Sequence, residues 1–163
     1  MAKIGGVQAM NLTLKQWIDI PPVWLALCLG IAWWQSAAYP MGLSFGGAVA
    51  DFLGGLLVGG GLVLMALAVY EMRRQRTTII PHQNASALVQ SGIFSRSRNP
   101  IYLGDAMILA GLILYWDAVL SLPLVPIFVW WIEKHFILSE EDRLRRKFRV
   151  DFARYCQNTR RWV

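Results

Sequence analysis

Residues 101–138 read IYLGDAMILAGLILYWDAVLSLPLVPIFVWWIEKHFIL, and the way this run divides decides the fold. The run is 38 residues long and is interrupted only by Asp105, Asp117, Glu133, Lys134 and His135, with Pro123 and Pro126 just past its middle. One membrane-crossing helix needs about 20 mostly apolar residues, so the run is too long for one and suits two of roughly 18. Asp117 and Ser121 are turn formers. A tight turn near Trp116–Leu122 is therefore expected, with Asp105 inside the first helix of the pair.

Upstream, 31 consecutive residues between Asp19 and Asp51 carry no charge, and within them Pro21–Tyr39 is read as a membrane helix. Another 19 uncharged residues, Phe52–Tyr70, are read as a second. Gly54, Gly55, Gly59, Gly60 and Gly61 in that span offer a small-residue face for close helix packing. They lie inside the apolar run with no Lys or Thr after them, which argues against a phosphate-binding loop. A cleaved leader ending near Ser36–Ala38 is the competing reading of the first helix, and it would be unusually long.

Composition agrees with a membrane chain. Apolar residues make up 56% of 163 and charged residues 16%, with a mean hydropathy of +0.42, against roughly 45–50% and about 25% in soluble domains. Two cysteines make no disulfide framework, and no fixed-period repeat is present.

The 16 Lys and Arg fall into three segments: Lys3 and Lys15; Arg73, Arg74, Arg76, Arg96 and Arg98; and nine from Lys134 to Arg161. The connection Tyr39–Asp51 and the turn at Trp116–Leu122 have none. Because cytoplasmic loops collect Lys and Arg, four helices with both termini cytoplasmic satisfy the pattern throughout. The net charge of +6 then reads as topology and attraction to anionic lipid headgroups. Nucleic-acid binding is not expected.

Two polar segments share that side, Glu71–Pro100 and Ser139–Val163. In the first, Ser91-Gly92 and Asn99-Pro100 mark turns, with Asn99 as a cap and Pro100 opening a helix. In the second, Leu144, Phe148, Phe152 and Tyr155 form an apolar stripe among Arg143, Arg145, Arg146, Lys147 and Arg149. An amphipathic basic helix is expected there, capped by Ser139 with Glu140, Glu141 and Asp142 in its first turn. The fold class is all-α: an integral membrane protein with four transmembrane helices, the last two a hairpin, plus a C-terminal amphipathic cytoplasmic helix. Residues 1–163 form a single membrane domain, with 1–70 the N-terminal helix pair and 71–163 the core.

No metal site is expected, because His82 and His135 lack neighbours at ligand spacing. No Ser sits in a nucleophile-elbow setting, and Cys156 reads as a structural or incidental thiol. What remains is Arg96, Arg98, Asn99, Pro100, Tyr102 and Gly104 before and within the third helix, facing Glu140 and Glu141 beyond the fourth. Arg beside a helix N-terminus can bind a carboxylate or phosphate, and paired carboxylates can hold an ammonium or a ribose diol. Such a mixed set suits a zwitterionic sulfonium cofactor. Helix capping with headgroup contact is the plain alternative.

Thr77-Thr78-Ile79-Ile80-Pro81, Ser86–Gly92 and Ser97-Arg98-Asn99-Pro100-Ile101-Tyr102-Leu103-Gly104, with Glu140-Glu141, Leu144, Phe148, Tyr155 and Arg160-Arg161-Trp162, resemble the isoprenylcysteine carboxyl methyltransferase and phospholipid methyltransferase superfamily. The resemblance runs from near Arg73 to the C-terminus. It implies an integral-membrane enzyme using S-adenosyl-L-methionine, with its site facing the cytoplasm. By this resemblance the cofactor-binding residues are Leu88, Val89, Asn99, Pro100, Tyr102, Gly104, Glu140 and Glu141. Arg98 matches the motif arginine, which could hold the acceptor's anionic group, and Arg160 or Arg161 a basic position near the acceptor. Asn99 stands where the motif has His. Arg149 stands for the usual Gly, Phe152 for the usual Tyr, and a substrate arginine near the end of helix four has no direct match beyond nearby Lys134.

The expected reaction is methyl transfer to a lipophilic acceptor, either an isoprenylcysteine-like carboxylate or a phospholipid amine. An amine must lose a proton, and Glu141, Tyr102 or Asp105 are the candidates. The predicted catalytic residues are Arg98, Asp105 and Arg161. Expected partners are a lipophilic small-molecule or lipid-anchored acceptor and membrane lipids. Rival readings are an NADPH-dependent membrane reductase of sterol-reductase-like architecture, a small-thiol methyltransferase, and a non-catalytic membrane scaffold.

Overall fold

The computed structural model describes residues 20–76 and 87–163. Lys3, Lys15, His82, Thr77–Pro81 and Ser86 lie outside these. The described chain is helical, with no strand. Helix α1 is Pro21–Ala38 and α2 is Ala48–Arg74. A 3-10 turn, Gly92–Ser95, precedes α3, Pro100–Tyr115. A second 3-10 turn, Val119–Ser121, leads to α4, Leu124–Ile132; a π-helical turn, Glu133–Ile137, joins α4 to α5, Leu138–Asn158. Prolines occupy the first turns of α1 and α3, where the missing N–H costs no helical hydrogen bond.

Two helical stretches are long and apolar enough to cross a membrane, Ala48–Arg74 and the continuous Val119–Asn158; Pro100–Tyr115 is apolar but shorter. Phe52, Leu56, Leu62, Val63 and Leu67 on α2, Trp33 and Trp34 on α1, and Ile127 and Trp130 on α4 are all exposed. Water-soluble monomers do not carry apolar surface on this scale, whereas lipid tails accept it.

The core gathers Ala32 of α1, Leu109 and Ile113 of α3, Phe128 and Ile132 of α4, and Phe136 and Ile137 of the π turn. The turn between α3 and α4 falls where expected. Asp117 there has φ +54°, and its Oδ1 accepts the Phe45 N–H at 2.7 Å, tying in the α1–α2 connection. Ser121 Oγ donates to Gln35 Oε1 at 3.1 Å.

Helices α2 and α3 meet through two glycine pairs. A Cβ on Gly61 would lie 2.8 Å from the Gly104 carbonyl, and one on Gly111 would lie 2.6 Å from the Gly54 carbonyl. Gly55 and Gly59 face open space. The packing face therefore repeats every seven residues, two helical turns, and uses fewer glycines than the sequence offers.

Two expected caps are replaced. No break occurs at Ser139, whose hydroxyl donates to the Phe136 carbonyl at 3.0 Å within a continuous helix. The π turn before it keeps the chain helical while re-aiming the side chains that follow. The break comes instead at Arg149, at φ 39° and ψ −104°. Asn99 makes no side-chain cap bond; its amide reaches the C-terminal tail.

Candidate functional site

The site is built where the segment before α3 meets the helix running out of α4. Ser91 and Gln75 both bond Glu71, and Gly92 adopts φ +60° over the Glu71 carboxylate, where a Cβ would lie 3.0 Å from Oε2. This anchors the incoming chain to the end of α2. Tyr155 Oη donates to the Phe94 carbonyl at 2.6 Å, and Thr159 Oγ1 to the Ser95 carbonyl at 3.4 Å. The 3-10 turn thus sits between α2 and the end of α5.

Arg98 is almost fully committed. Its Nη1 donates to the carbonyls of Cys156 (3.3 Å) and Thr159 (2.9 Å), its Nη2 to Glu141 Oε1 (3.0 Å), and its backbone N–H to the Arg160 carbonyl (3.0 Å). Its Nε is buried with no partner among the described residues. Arg161 forks onto Glu141, with Nε to Oε1 at 3.1 Å and Nη2 to Oε2 at 2.8 Å, while Nη1 reaches Glu133 Oε1 at 2.7 Å. Trp162 Nε1 donates to Glu133 Oε2 at 3.0 Å. Asn99 Nδ2 donates to the Arg161 carbonyl at 3.1 Å.

Glu141 is thus held between two guanidiniums and is 6% exposed. Burial by itself would raise its pKa, but Arg161 and Arg98 hold it below the usual glutamate range. The Glu141 and Glu133 carboxylates in turn raise Arg161 above the ordinary arginine value, against the opposing pull of burial. A buried charge gains this way only when paired and hydrogen-bonded, and Glu141 meets both conditions.

Beside this clamp, Tyr102 Oη donates to Glu140 Oε2 at 3.2 Å. Asp105, one turn further into α3, is 3% exposed. The sequence-predicted Arg98, Asn99, Tyr102, Glu140, Glu141 and Arg161 are therefore brought together. Pro100 is buried beneath them at the start of α3. Gly104 faces Met65 and Gly61, so the close approach it allows is that of α2. Leu88 is half-buried and Val89 buried, on the segment leading to the Glu71 anchor. Among the described residues no group of three or more His, Cys, Asp or Glu could hold a metal ion.

Sequence reasoning missed Glu133, which appears in the chain only as a charge ending an apolar run; Ser97, whose Oγ accepts the Asn99 N–H at 3.2 Å; and Thr159, whose carbonyl accepts from Arg98. The carboxylate at the end of an apolar span was the available signal for Glu133. Its partners, Arg161 and Trp162, lie 28 and 29 residues away and carry no periodic mark.

The donor set fits S-adenosylmethionine. The Glu140 carboxylate beside the Tyr102 hydroxyl can take an ammonium or ribose hydroxyls. The indole N–H groups of Trp24 and Trp131, whose rings lie 4.8 Å apart, are buried and unpartnered among the described residues. A family model described as phospholipid methyltransferase matches residues 49–151, well over half of the chain. No curated protein and no solved structure matches.

Proposed function

The chain belongs to the phospholipid methyltransferase family, and on that premise we propose that it transfers a methyl group from S-adenosyl-L-methionine to an amine on a lipid entering from the bilayer. When bound, the cofactor supplies an electrophilic methyl on a sulfonium; the chain supplies binding, orientation and exclusion of water. Glu140 and Tyr102 would hold the cofactor's polar groups, with Asn99, Pro100, Leu88 and Val89 bordering it.

The observation that carries the choice of acceptor is the pairing of the two arginines. Arg98 and Arg161 are both bound to Glu141, and Arg161 also to Glu133. Neither is available to grip an acceptor carboxylate without breaking a buried ion pair. In this reading they position the C-terminal tail and the glutamates rather than touch the acceptor. Carboxylate acceptors of the isoprenylcysteine kind are the second reading, favoured by the loop motifs.

The topology we infer has four spans: α1, α2, α3, and the helix from Val119 to Leu138. Both termini and the site lie on the cytoplasmic side, where every Lys and Arg is collected.

Calorimetry on the detergent-purified chain tests the cofactor, with S-adenosylhomocysteine and NADPH titrated in parallel. Micromolar binding of S-adenosylhomocysteine alone is expected. Binding of NADPH alone would replace the proposal with a reductase. Labelled methyl donor with phosphatidylethanolamine and with a prenylcysteine then separates the two acceptor chemistries.

A further inference from the structure

We propose that Asp105 accepts the proton that an amine acceptor must lose before it is methylated. This rests on the amine reading above and assigns that reading its base. Asp105 is 3% exposed and makes no hydrogen bond or ion pair among the described residues. Residues 102, 105 and 109 share one helical stripe, so Asp105 lies on the face that carries Tyr102 and Leu109 into the core. Gly104, next to it, turns to α2 instead.

The Asp105 oxygens are not among the fully enclosed unpartnered atoms, so its small exposure lies at the carboxylate itself, and an ionisable residue inside a span is a functional feature by default. The other candidate bases are occupied. Glu141 accepts three guanidinium hydrogen bonds. Tyr102 already donates its proton to Glu140. Asp105 is left as a carboxylate one turn inward from Tyr102, with no cation paired to it among the described residues. A lipid ammonium is a cation that the acceptor itself would bring.

The step balances as follows. One N–H bond of the ammonium breaks, its electron pair stays on nitrogen, and the proton passes to a carboxylate oxygen of Asp105. The nitrogen lone pair forms the bond to the methyl carbon as the carbon–sulfur bond breaks, its pair going to sulfur. The products are a methylated ammonium, a neutral thioether and protonated Asp105, which returns its proton to water.

Among the described residues, the titratable and charged groups that face this part of the core are few. Tyr102, on the same helix, is flanked by Asp105 and by Glu140 and Arg143 of α5; Cys28 of α1 packs against the same core, to which the π turn contributes Phe136 and Ile137. Helix α4 has none, and α2 presents Gly61 and Met65 where it meets Gly104.

The test compares wild type and Asp105→Asn in nanodiscs, using phosphatidylethanolamine and an analogue whose amine is weakened by adjacent fluorines and is neutral at the assay pH. The variant is expected to bind S-adenosylhomocysteine normally and to lose transfer to the ordinary amine by about 100-fold or more, while keeping transfer to the weak amine within about threefold. Loss of both transfers with binding intact, or loss of neither, overturns the role of Asp105 and leaves the amine reading standing. A wild type that methylates a prenylcysteine and neither amine overturns both.

Infrared difference spectra provide a readout without turnover. Adding phosphatidylethanolamine to the chain without methyl donor should change the carboxyl band in wild type and not in Asp105→Asn; matching spectra overturn the proposal. Should the variant not fold, the wild type decides. Acidification should suppress transfer to the ordinary amine before transfer to the weak one, and coincident profiles overturn the proposal.

Discussion

The α2–α3 seam and the clamp around Glu141 hold neighbouring parts of one small bundle by opposite means. At the seam, glycine backbones meet where a Cβ would come within 2.6–2.9 Å of a carbonyl oxygen, with the Met65 and Val58 side chains packed in beside them. The clamp is nearly all side chain, with two guanidiniums on one buried carboxylate and a third contact to Glu133. The seam lies between lipid-facing surfaces, where hydrophobic burial contributes little and shape must serve. The clamp lies beyond the apolar spans, where charge can be placed and paired.

Glu141→Ala sharpens the comparison most. It strands Arg98 and Arg161 beside each other with no carboxylate between them. The expected loss is about 3–5 kcal/mol, read as a fall in the thermal midpoint in detergent. Glu140→Ala, which removes the acceptor of the Tyr102 hydroxyl, should lower the midpoint by less than Glu141→Ala does and abolish S-adenosylhomocysteine binding. Equal destabilisation by the two would break the division of labour between the adjacent glutamates.

Gly111→Val should come next, at about 1–3 kcal/mol, because its Cβ meets backbone that cannot move aside. Gly59→Val, pointing into open space, is the control and should be close to neutral. Similar losses at both positions would mean that helix propensity, not contact, governs the seam.

Acid separates the two regions without mutation. The Glu141 carboxyl binds its proton less readily in the folded chain than in the unfolded one. Its stabilisation therefore stands at neutral pH and is lost as pH falls below the ordinary glutamate range towards the depressed folded value. Arg161 is shifted upward by the same carboxylates, so on acidification it keeps its own proton and loses its partner, and it would lose its charge only in strong alkali. Wild type should lose stability in acid by more than Glu141→Ala does; parallel pH curves would exclude the clamp as the source.

The smallest effect is a gain. Arg149 adopts φ 39° in the middle of a helical run, a conformation that glycine tolerates and side chains resist. Arg149→Gly should raise stability by about 1 kcal/mol in chemical unfolding. A loss would mean that the Arg149 side chain, not its backbone, matters there.

The helices and the hairpin turn were legible in the chain because each depends on neighbours in sequence. Uncharged runs, prolines at first turns and Asp117 at the turn all report local preference. The same holds for the motif Arg98-Asn99-Pro100-Ile101-Tyr102-Leu103-Gly104 and the glutamate pair, which were enough to suggest the family. The caps at Ser139 and Asn99 were misread because each side chain had a competing partner that local pattern does not reveal.

What the sequence by itself determined is the set of apolar runs, the segments in which charge collects, and the residues available for chemistry; these follow from composition and short-range spacing. Which glutamate pairs with the arginines, which glycines touch, and which carboxylate is left buried without a partner among the described residues was decided only by the tertiary structure. Glu140 and Glu141 are chemically the same and adjacent, yet they point about 100° apart around a helix. One meets Tyr102 and the other two arginines, 43 and 20 residues away. Pairing across such distances depends on where the helices cross, and no local pattern in the chain records that.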